Sequence, residues 1–398
     1  MTMAKGSMKI PYGRQWISKE ERSAVDRVLR SDYLTQGPIV AEFERKLAKT
    51  VGAKYAVAVA NGTAALHLAA IALGLKSGDE VITTPISFLA TANAVLYVGA
   101  KPVFADIDVE TQCLDPRQIE KKITRRTKAI FVTDFAGHPA DMIVIRRIAQ
   151  RHGLKVVEDA CHALGATYQG FRVGACEHSD LAVFSFHPVK HITTGEGGAI
   201  MTNDKQLYQQ LSEWRSHGVT RDSLRLKDTM QGGWYYEMQS LGFNYRMTDI
   251  HAAIGIEQLK KLDRFIAHRR KIAAQYNKAF QSFQEVLSPV ELPGYKHTYH
   301  LYVIRLTNGL ERKRKEIFEA LHKRGVGVQV HYIPIPSQPY YRKLGYSLAD
   351  CPRAEEYYHS AISIPMFPGM TDAQGAYVSR IVRDVIQLFT RNLIRRKS

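Results

Sequence analysis

The stretch Phe184–Gly198 reads FSFHPVKHITTGEGG. A short apolar run ends there in small and polar residues, the pattern of a buried strand leaving a sheet into a tight, ligand-facing loop. One lysine, Lys190, sits in that loop. Two readings stand for it: a catalytic amine, or one more lysine of a basic chain. The partners that the rest of the sequence supplies decide between them.

Working outward, short β-branched runs alternate with longer helical patterns. Strands are predicted at Tyr55–Val59, Glu80–Thr84, Pro102–Ala105, Ala129–Thr133, Lys155–Glu158, Leu181–Phe186 and Ala199–Thr202, with helices at Gly62–Leu73, Leu89–Val98 and Met142–His152. Such alternation predicts an α/β fold, a parallel, doubly wound sheet with helices on both faces. Ligands of such sheets bind beyond the carboxyl ends of the strands. Before the sheet, Ile17–Leu29 reads as an amphipathic helix capped by Ser18, and Ile39–Thr50 as a second.

After a helix at Ile250–Leu262 the texture changes. Phe265–Phe283 reads as a long charged helix, Leu301–Leu306 and Val326–Tyr332 as strands, and Arg312–Arg324, Tyr357–Ala361 and Thr371–Phe389 as helices. The 398 residues exceed one ordinary core. The division expected is an N-terminal segment with a large domain over 1–262 and a small C-terminal α/β domain over 263–398.

Hydrophobic residues at 45% and charged residues at 23% describe a globular, soluble chain. No apolar run is long enough to span a bilayer, and the start MTMAKGSMKI lacks the apolar core of a secretory signal. The four scattered cysteines form no CxxC pair and read as reduced thiols of a cytoplasmic protein. A net charge of +17 admits nucleic acid, a membrane surface or an anionic small substrate. Most of the cations fall at helical spacing, with no aromatic-interleaved basic stripe, so no nucleic-acid partner is expected.

Four features follow strand ends. Asn61-Gly62-Thr63 joins a strand to a helix, where small residues and free amides favour an anion; a plain cap and tight turn is the alternative. Phe88 is an aromatic that either stacks on a planar ligand or packs in the core. Asp159 ends a buried strand and needs a cationic partner, either a protonated ring nitrogen or an arginine. His162, three residues on, flanks the same ring or simply packs. Ser185 and Lys190 complete the set as a phosphate hydroxyl and an amine. His187 and His191 are four apart, but Pro188 and the Thr-Gly run oppose the helix that would align them, so no metal site is expected. Together these are the parts of a pyridoxal phosphate site, and neither GxGxxG nor a P-loop competes.

The chain resembles the DegT/DnrJ/EryC1/StrS sugar aminotransferases, a branch of the fold-type I pyridoxal phosphate transferases, from Ile10 to about Phe389. The resemblance is carried by LTQGP (Leu34–Pro38), ANGTAAL (Ala60–Leu66), EDACHALGA (Glu158–Ala166), FSFHPVKHITTGEGGA (Phe184–Ala199) and GFNYRMTDIHAAIG (Gly242–Gly255). It implies a large domain with a mainly parallel seven-stranded sheet, and a homodimer with shared active sites in which Asn244 reaches the partner's cofactor. Lys190 would bond the cofactor and Asp159 hold its ring nitrogen protonated, with Gly62, Thr63, Phe88, His162 and Ser185 as further cofactor contacts. TTPISFLATAN (Thr83–Asn93), WYYEMQSLGFNYR (Trp234–Arg246) and VQVHYIPIPSQPYY (Val328–Tyr341) point to the pseudaminic-acid branch. There L-glutamate would donate its amino group, leaving 2-oxoglutarate, to C4 of a UDP-linked 4-keto-6-deoxy amino sugar. By motif matching, that sugar nucleotide would meet Tyr12, Asp32, Tyr33, Leu34, Thr35, Asn61, Ser185, His331, Tyr332, Ile333 and Pro334. Relatives with histidine in place of the lysine are dehydratases; Lys190 stands here, which implies transamination. The alternatives are another 4-keto nucleotide sugar, D-configured with UDP or dTDP, and a cofactor-free binding module on the same scaffold.

Overall fold

The computed structural model describes residues 8–228 and 230–394. The first seven residues and the end of the basic tail, 395–398, lie outside that description. The expected strands form as β1 (Tyr55–Val59), β2 (Glu80–Thr83), β3 (Lys101–Phe104), β4 (Thr127–Thr133), β5 (Lys155–Asp159), β6 (Leu181–Ser185) and β7 (Gly198–Thr202). They make one seven-stranded sheet in the order β1-β7-β6-β5-β4-β2-β3. Pairing is parallel from β3 through β6, and β7 runs antiparallel to both β6 and β1. The reversal has a local cause. No crossover helix separates β6 from β7, and without one a strand can only return antiparallel.

Alternate residues of each strand feed opposite faces. Val57, Val59, Val157, Val183 and Ile200 pack under the helices α1 (Gly62–Ala72) and α2 (Ala90–Tyr97). Ala56, Ala58, Ala182 and Phe184 face the other way, against Phe43, Leu47 and Ile256. Burying each large aliphatic or aromatic side chain in these layers contributes about 1.5–3 kcal/mol.

The remaining helices match the reading with small shifts: Lys19–Leu29 and Pro38–Val51 before the sheet, Met142–His152 within it, Asp249–Leu259 and Leu262–Phe280 after it. Ser18 caps the first in a capping box with Glu21. Asp249, fully buried, accepts from the amides of Gly37, Ile39 and Val40 and so caps the helix Pro38–Val51 from a distant element. The helix Lys205–Trp214 was not anticipated, although Asp204 caps it through the amides of Gln206 and Leu207 and Leu207, Leu211 and Trp214 share its inner face.

The C-terminal α/β layer corrects two expectations. Val326–Tyr332 is not a regular strand; it makes single bridges, Val326 with Ile10 and Gln329 with Ser363. The strand that pairs with Tyr302–Leu306 is instead Ala361–Ile364, which follows a helix over Pro352–Ser360. Both segments are short and apolar, and periodicity alone does not tell which pairs. The helix expected over Arg312–Arg324 spans Arg314–Lys323, and the last runs Asp372–Ile394. Ile10, from the N-terminal segment, is buried with Tyr276, Tyr302, Val326 and Ile364 in this layer.

Candidate active site

The reversed strand β7 builds one wall of the site. Val59 and Ser185 both pair with Gly198, which sets the chain leaving β1 beside the end of β6. A Cβ on Gly198 would come within 2.5 Å of the Asn61 carbonyl, and one on Gly62 within 2.9 Å of the Ser185 Cβ. Glycine at both places permits the approach. Asn61 caps α1, its Oδ1 accepting from the Ala64 amide at 2.8 Å. The amides of Gly62 and Thr63 sit in the first turn, where the helix offers them no carbonyl. They line a cavity of about 420 Å³ together with Ser185. Free amides at a helix start, beside a hydroxyl, form a seat for an anion.

Asp159 enters the same cavity from the end of β5 and is only 4% exposed. Its Oδ2 accepts from Thr91 Oγ1 at 2.6 Å and its Oδ1 from the Cys161 amide at 3.3 Å. Among the described residues no lysine, arginine or histidine pairs with it. Behind Thr91 the hydroxyls continue, Ser87 to Thr91 at 2.8 Å and Thr133 to Ser87 at 3.2 Å. With Thr91 donating to the carboxylate, each hydroxyl donates to the next, an arrangement that strengthens along its length.

Lys190 lies in the turn after β6 and lines this cavity. Burial lowers the basicity of its amine, while Cys161 and Asp159 pull the other way. His162 is buried, its Nε2 3.1 Å from the Tyr332 hydroxyl and its ring centroid 4.5 Å from that of His300. Its Nδ1 has no partner among the described residues. Burial holds this imidazole neutral, and Lys190 adds to the effect. Phe88 is 56% exposed at the rim, its ring 6.2 Å from Tyr332. His187 is exposed to the cavity and His191 is buried in the interior, so the two diverge.

The residues matched to the sugar nucleotide are distributed differently. Asn61, Ser185 and Tyr332 line the cavity. Tyr12 and His331 form a pair beside it, the hydroxyl 3.2 Å from Nε2, with Ser363 Oγ 2.8 Å from Nδ1. Burial, with Lys190 adding, pushes the His331 imidazole down to about 3. Ile333 is exposed and Pro334 buried, and neither lines the cavity. Asp32, Tyr33, Leu34 and Thr35 are exposed outside the cavity wall, anchored by the Asp249 amide donating to the Leu34 carbonyl at 3.0 Å. Asn244 is exposed, bridged to Ser216, and does not line the cavity of its own chain. The sequence reading gave no role to Ser87, Thr91 or Thr133, although Ser87 and Thr91 stand four apart at a helix entry, a spacing that places them together.

Pyridoxal phosphate fits these residues. The anion seat matches its phosphate, the buried carboxylate without a cation matches its protonated ring nitrogen, and the lysine disfavoured as an ammonium matches its aldehyde. The fold and this cavity define a pyridoxal-phosphate-dependent aminotransferase. The comparisons agree. The DegT/DnrJ/EryC1/StrS aminotransferase family matches residues 15–383, and the chain belongs to that family of pyridoxal-phosphate-dependent sugar aminotransferases. It is 41% identical over 384 residues to the spore coat polysaccharide biosynthesis protein SpsC of Bacillus subtilis, covering 95% of this chain and 97% of SpsC. Helicobacter pylori PseC, an aminotransferase involved in pseudaminic acid biosynthesis, superposes with a TM-score of 0.88 at 34% identity, covering 96% of this chain and 100% of PseC. The pyridoxal phosphate form of a putative sugar aminotransferase from Streptococcus pneumoniae superposes with a TM-score of 0.89 at 28% identity, covering 96% and 99%.

Proposed function

We propose that the protein transfers the amino group of L-glutamate to C4 of UDP-2-acetamido-2,6-dideoxy-β-L-arabino-hexos-4-ulose, giving UDP-4-amino-4,6-dideoxy-N-acetyl-β-L-altrosamine. The observation that carries the reaction class is Asp159, a buried carboxylate without a protein cation, in the same cavity as Lys190. The sugar is supported by the segments shared with the pseudaminic-acid branch and by the fold likeness to PseC.

The cofactor, when bound, supplies an aldehyde and an electron-accepting ring. Lys190 Nζ takes the proton from Cα of glutamate in the first half of the reaction and delivers a proton to the sugar C4 in the second. Burial favours the neutral amine that this demands. Asp159 holds positive charge at the ring nitrogen, and the Thr91 hydroxyl keeps its carboxylate oriented. Gly62, Thr63 and Ser185 hold the phosphate, and Phe88 and His162 flank the ring. Asn61 and Tyr332 face the sugar nucleotide from the cavity wall and Tyr12 and His331 from beside it; Asp32 to Thr35, outside their own chain's cavity, would meet it only in the partner's site.

The same reading divides the chain after residue 262 and makes it a homodimer. The dimer is supported by the exposed apolar side chains of Leu224, Met230, Trp234 and Leu241, next to Asn244, which would reach the partner's cofactor. Four unpaired thiols support a cytoplasmic setting.

The test is incubation of the holoenzyme with the UDP-4-keto sugar and glutamate, with NMR identification of the product. A 4-amino sugar of L-altro configuration is expected, and no amination would sink the assignment. The identity to SpsC favours a second reading, another 4-keto nucleotide sugar used for a surface polysaccharide. Amination of a D-configured UDP or dTDP sugar in preference to the L sugar would establish it.

A further inference from the structure

A second cavity, of about 640 Å³, lies in the C-terminal layer, remote in lining from the one that holds Lys190. Arg305, on the strand Tyr302–Leu306, lines it. Its side chain is half-buried, and burial lowers the basicity of its guanidinium. Among the described residues it makes neither an ion pair nor a hydrogen bond. Other arginines differ: Arg353, which lines the same cavity, pairs with Asp115 at 2.7 Å, and the buried Arg269 donates to three backbone carbonyls. Tyr357, Glu356, Asp108 and Glu110 attract Arg305 from a distance, but its N–H donors have no direct partner, and partly buried donors left unpaired are costly. Arg312 lines the cavity as a second arginine without an ion pair among the described residues, and Glu311 and Glu356 line it as carboxylates, outside ion-pair distance of Arg305 and Arg312. Leu287 and Tyr357 give it an apolar wall.

We propose that this cavity binds a phosphorylated sugar. The phosphate meets Arg305 and Arg312, sugar hydroxyls donate to Glu311 and Glu356, and the C–H face of the ring packs on Tyr357 and Leu287. An amino acid zwitterion also carries both charges, but it would leave most of the volume unfilled; ligand cavities of this size take larger molecules. Occupancy has a route to the active site. The Tyr357 hydroxyl donates to the His331 carbonyl at 2.7 Å, and the next residue, Tyr332, lines the cavity that holds Lys190.

The experiment is hydrogen-exchange mass spectrometry on the holoenzyme with and without N-acetylglucosamine 1-phosphate, with inorganic phosphate and glycine as separate arms. Slowed exchange in peptides spanning 305–312 and 353–360 is expected with the sugar phosphate. Arg305→Met should weaken that protection about tenfold or more in ligand concentration, the loss of a charge-assisted pair. Glu356→Gln, on an exposed helix face, gives a second variant that leaves the fold intact and should weaken it by several-fold. Basal transamination should persist in both variants. Protection confined to 61–64 and 185–191 would overturn the proposal. So would equal protection by inorganic phosphate alone, which needs no sugar, or protection by glycine in place of the sugar phosphate.

Discussion

The strand-end cavity and the stretch from Leu224 to Leu241 are built on opposite terms. In the cavity the chain itself holds the polar groups in place and leaves some open for a ligand: Asn61 caps a helix, Thr91 holds Asp159 and Tyr332 meets His162, while the amides of Gly62 and Thr63 and the Lys190 amine stay free. In the other stretch Leu224, Met230 and Leu241 are 93%, 92% and 82% exposed, and Trp234 is largely uncovered. A monomer rarely leaves so many large apolar side chains open within one short stretch unless something covers them. The contrast separates what this chain completes alone from what a second copy would complete.

The largest effect tests the self-contained half. Lys190→Ala should lower steady-state amination by about 10³-fold or more, since the variant loses both nucleophile and proton carrier. Turnover at near wild-type rate in that variant would break the assignment. Asp159→Asn should cost about 10²-fold or more while the cofactor stays bound, a figure on the scale of a removed electrostatic stabiliser. Absorbance spectra and turnover measured on one preparation distinguish loss of chemistry from loss of cofactor.

For the uncovered half, Leu224→Asp with Leu241→Asp should raise the dimer dissociation constant about tenfold or more by sedimentation, because two charges would be buried unpaired. The same pair should change monomer stability by no more than about 0.5 kcal/mol per site, as exposed positions do. An unchanged sedimentation profile would remove this stretch from any interface.

A smaller effect concerns the hydroxyl chain. Thr91→Val removes the bond to Asp159 and should weaken cofactor affinity by about tenfold, the worth of one bond to a charged group. Equal affinity in the variant would show that the carboxylate is oriented by other contacts.

Acid should act on the interior as a whole. Burial lowers the pKa of His138, His162, His191, His297, His300 and His331 from the ordinary 6.5. Below pH 6.5 the unfolded chain takes up protons that the folded chain refuses, so stability falls as pH drops. Each histidine contributes at most about 1.4 kcal/mol per pH unit. Burial raises the carboxyl of Glu158 to about 7 and that of Asp134 well above its ordinary value, and both act in the opposite direction as the pH falls. Six groups outweigh two, and the melting temperature should drop by several degrees between pH 7 and pH 5. A flat profile would place these imidazoles in contact with water.

Much of the fold was legible because its strands are short, β-branched and separated by helices of clear period. Where both signals weakened, the reading failed: Val326–Tyr332 and Ala361–Ile364 are both short apolar runs, and only tertiary pairing with Tyr302–Leu306 chose between them. The site was legible in a similar way. Asp159, Ser185 and Lys190 follow strand ends, and strand ends meet in a parallel sheet. Thr91, Ser87 and Thr133 were not read: the spacing of Ser87 and Thr91 pairs two hydroxyls without naming their target, and Thr133 and Asp159 join them from two strands only once the chain folds. Nor does sequence spacing show that Asp32–Thr35 and Asn244 stand outside their own chain's cavity.

The antiparallel strand β7 has a consequence for the order of assembly. β1 has no other neighbour in the sheet, so the Asn61–Gly62 turn meets Ser185 only after residues 198–202 are in place. A ribosome-bound chain that ends short of them would hold Asp159 on its strand yet have no phosphate seat. The contact is distant in sequence, and such closures are slow. Cofactor capture is therefore expected late, after the rest of the sheet has formed. Refolding followed at once by backbone signal and by cofactor absorbance would show the second lagging the first.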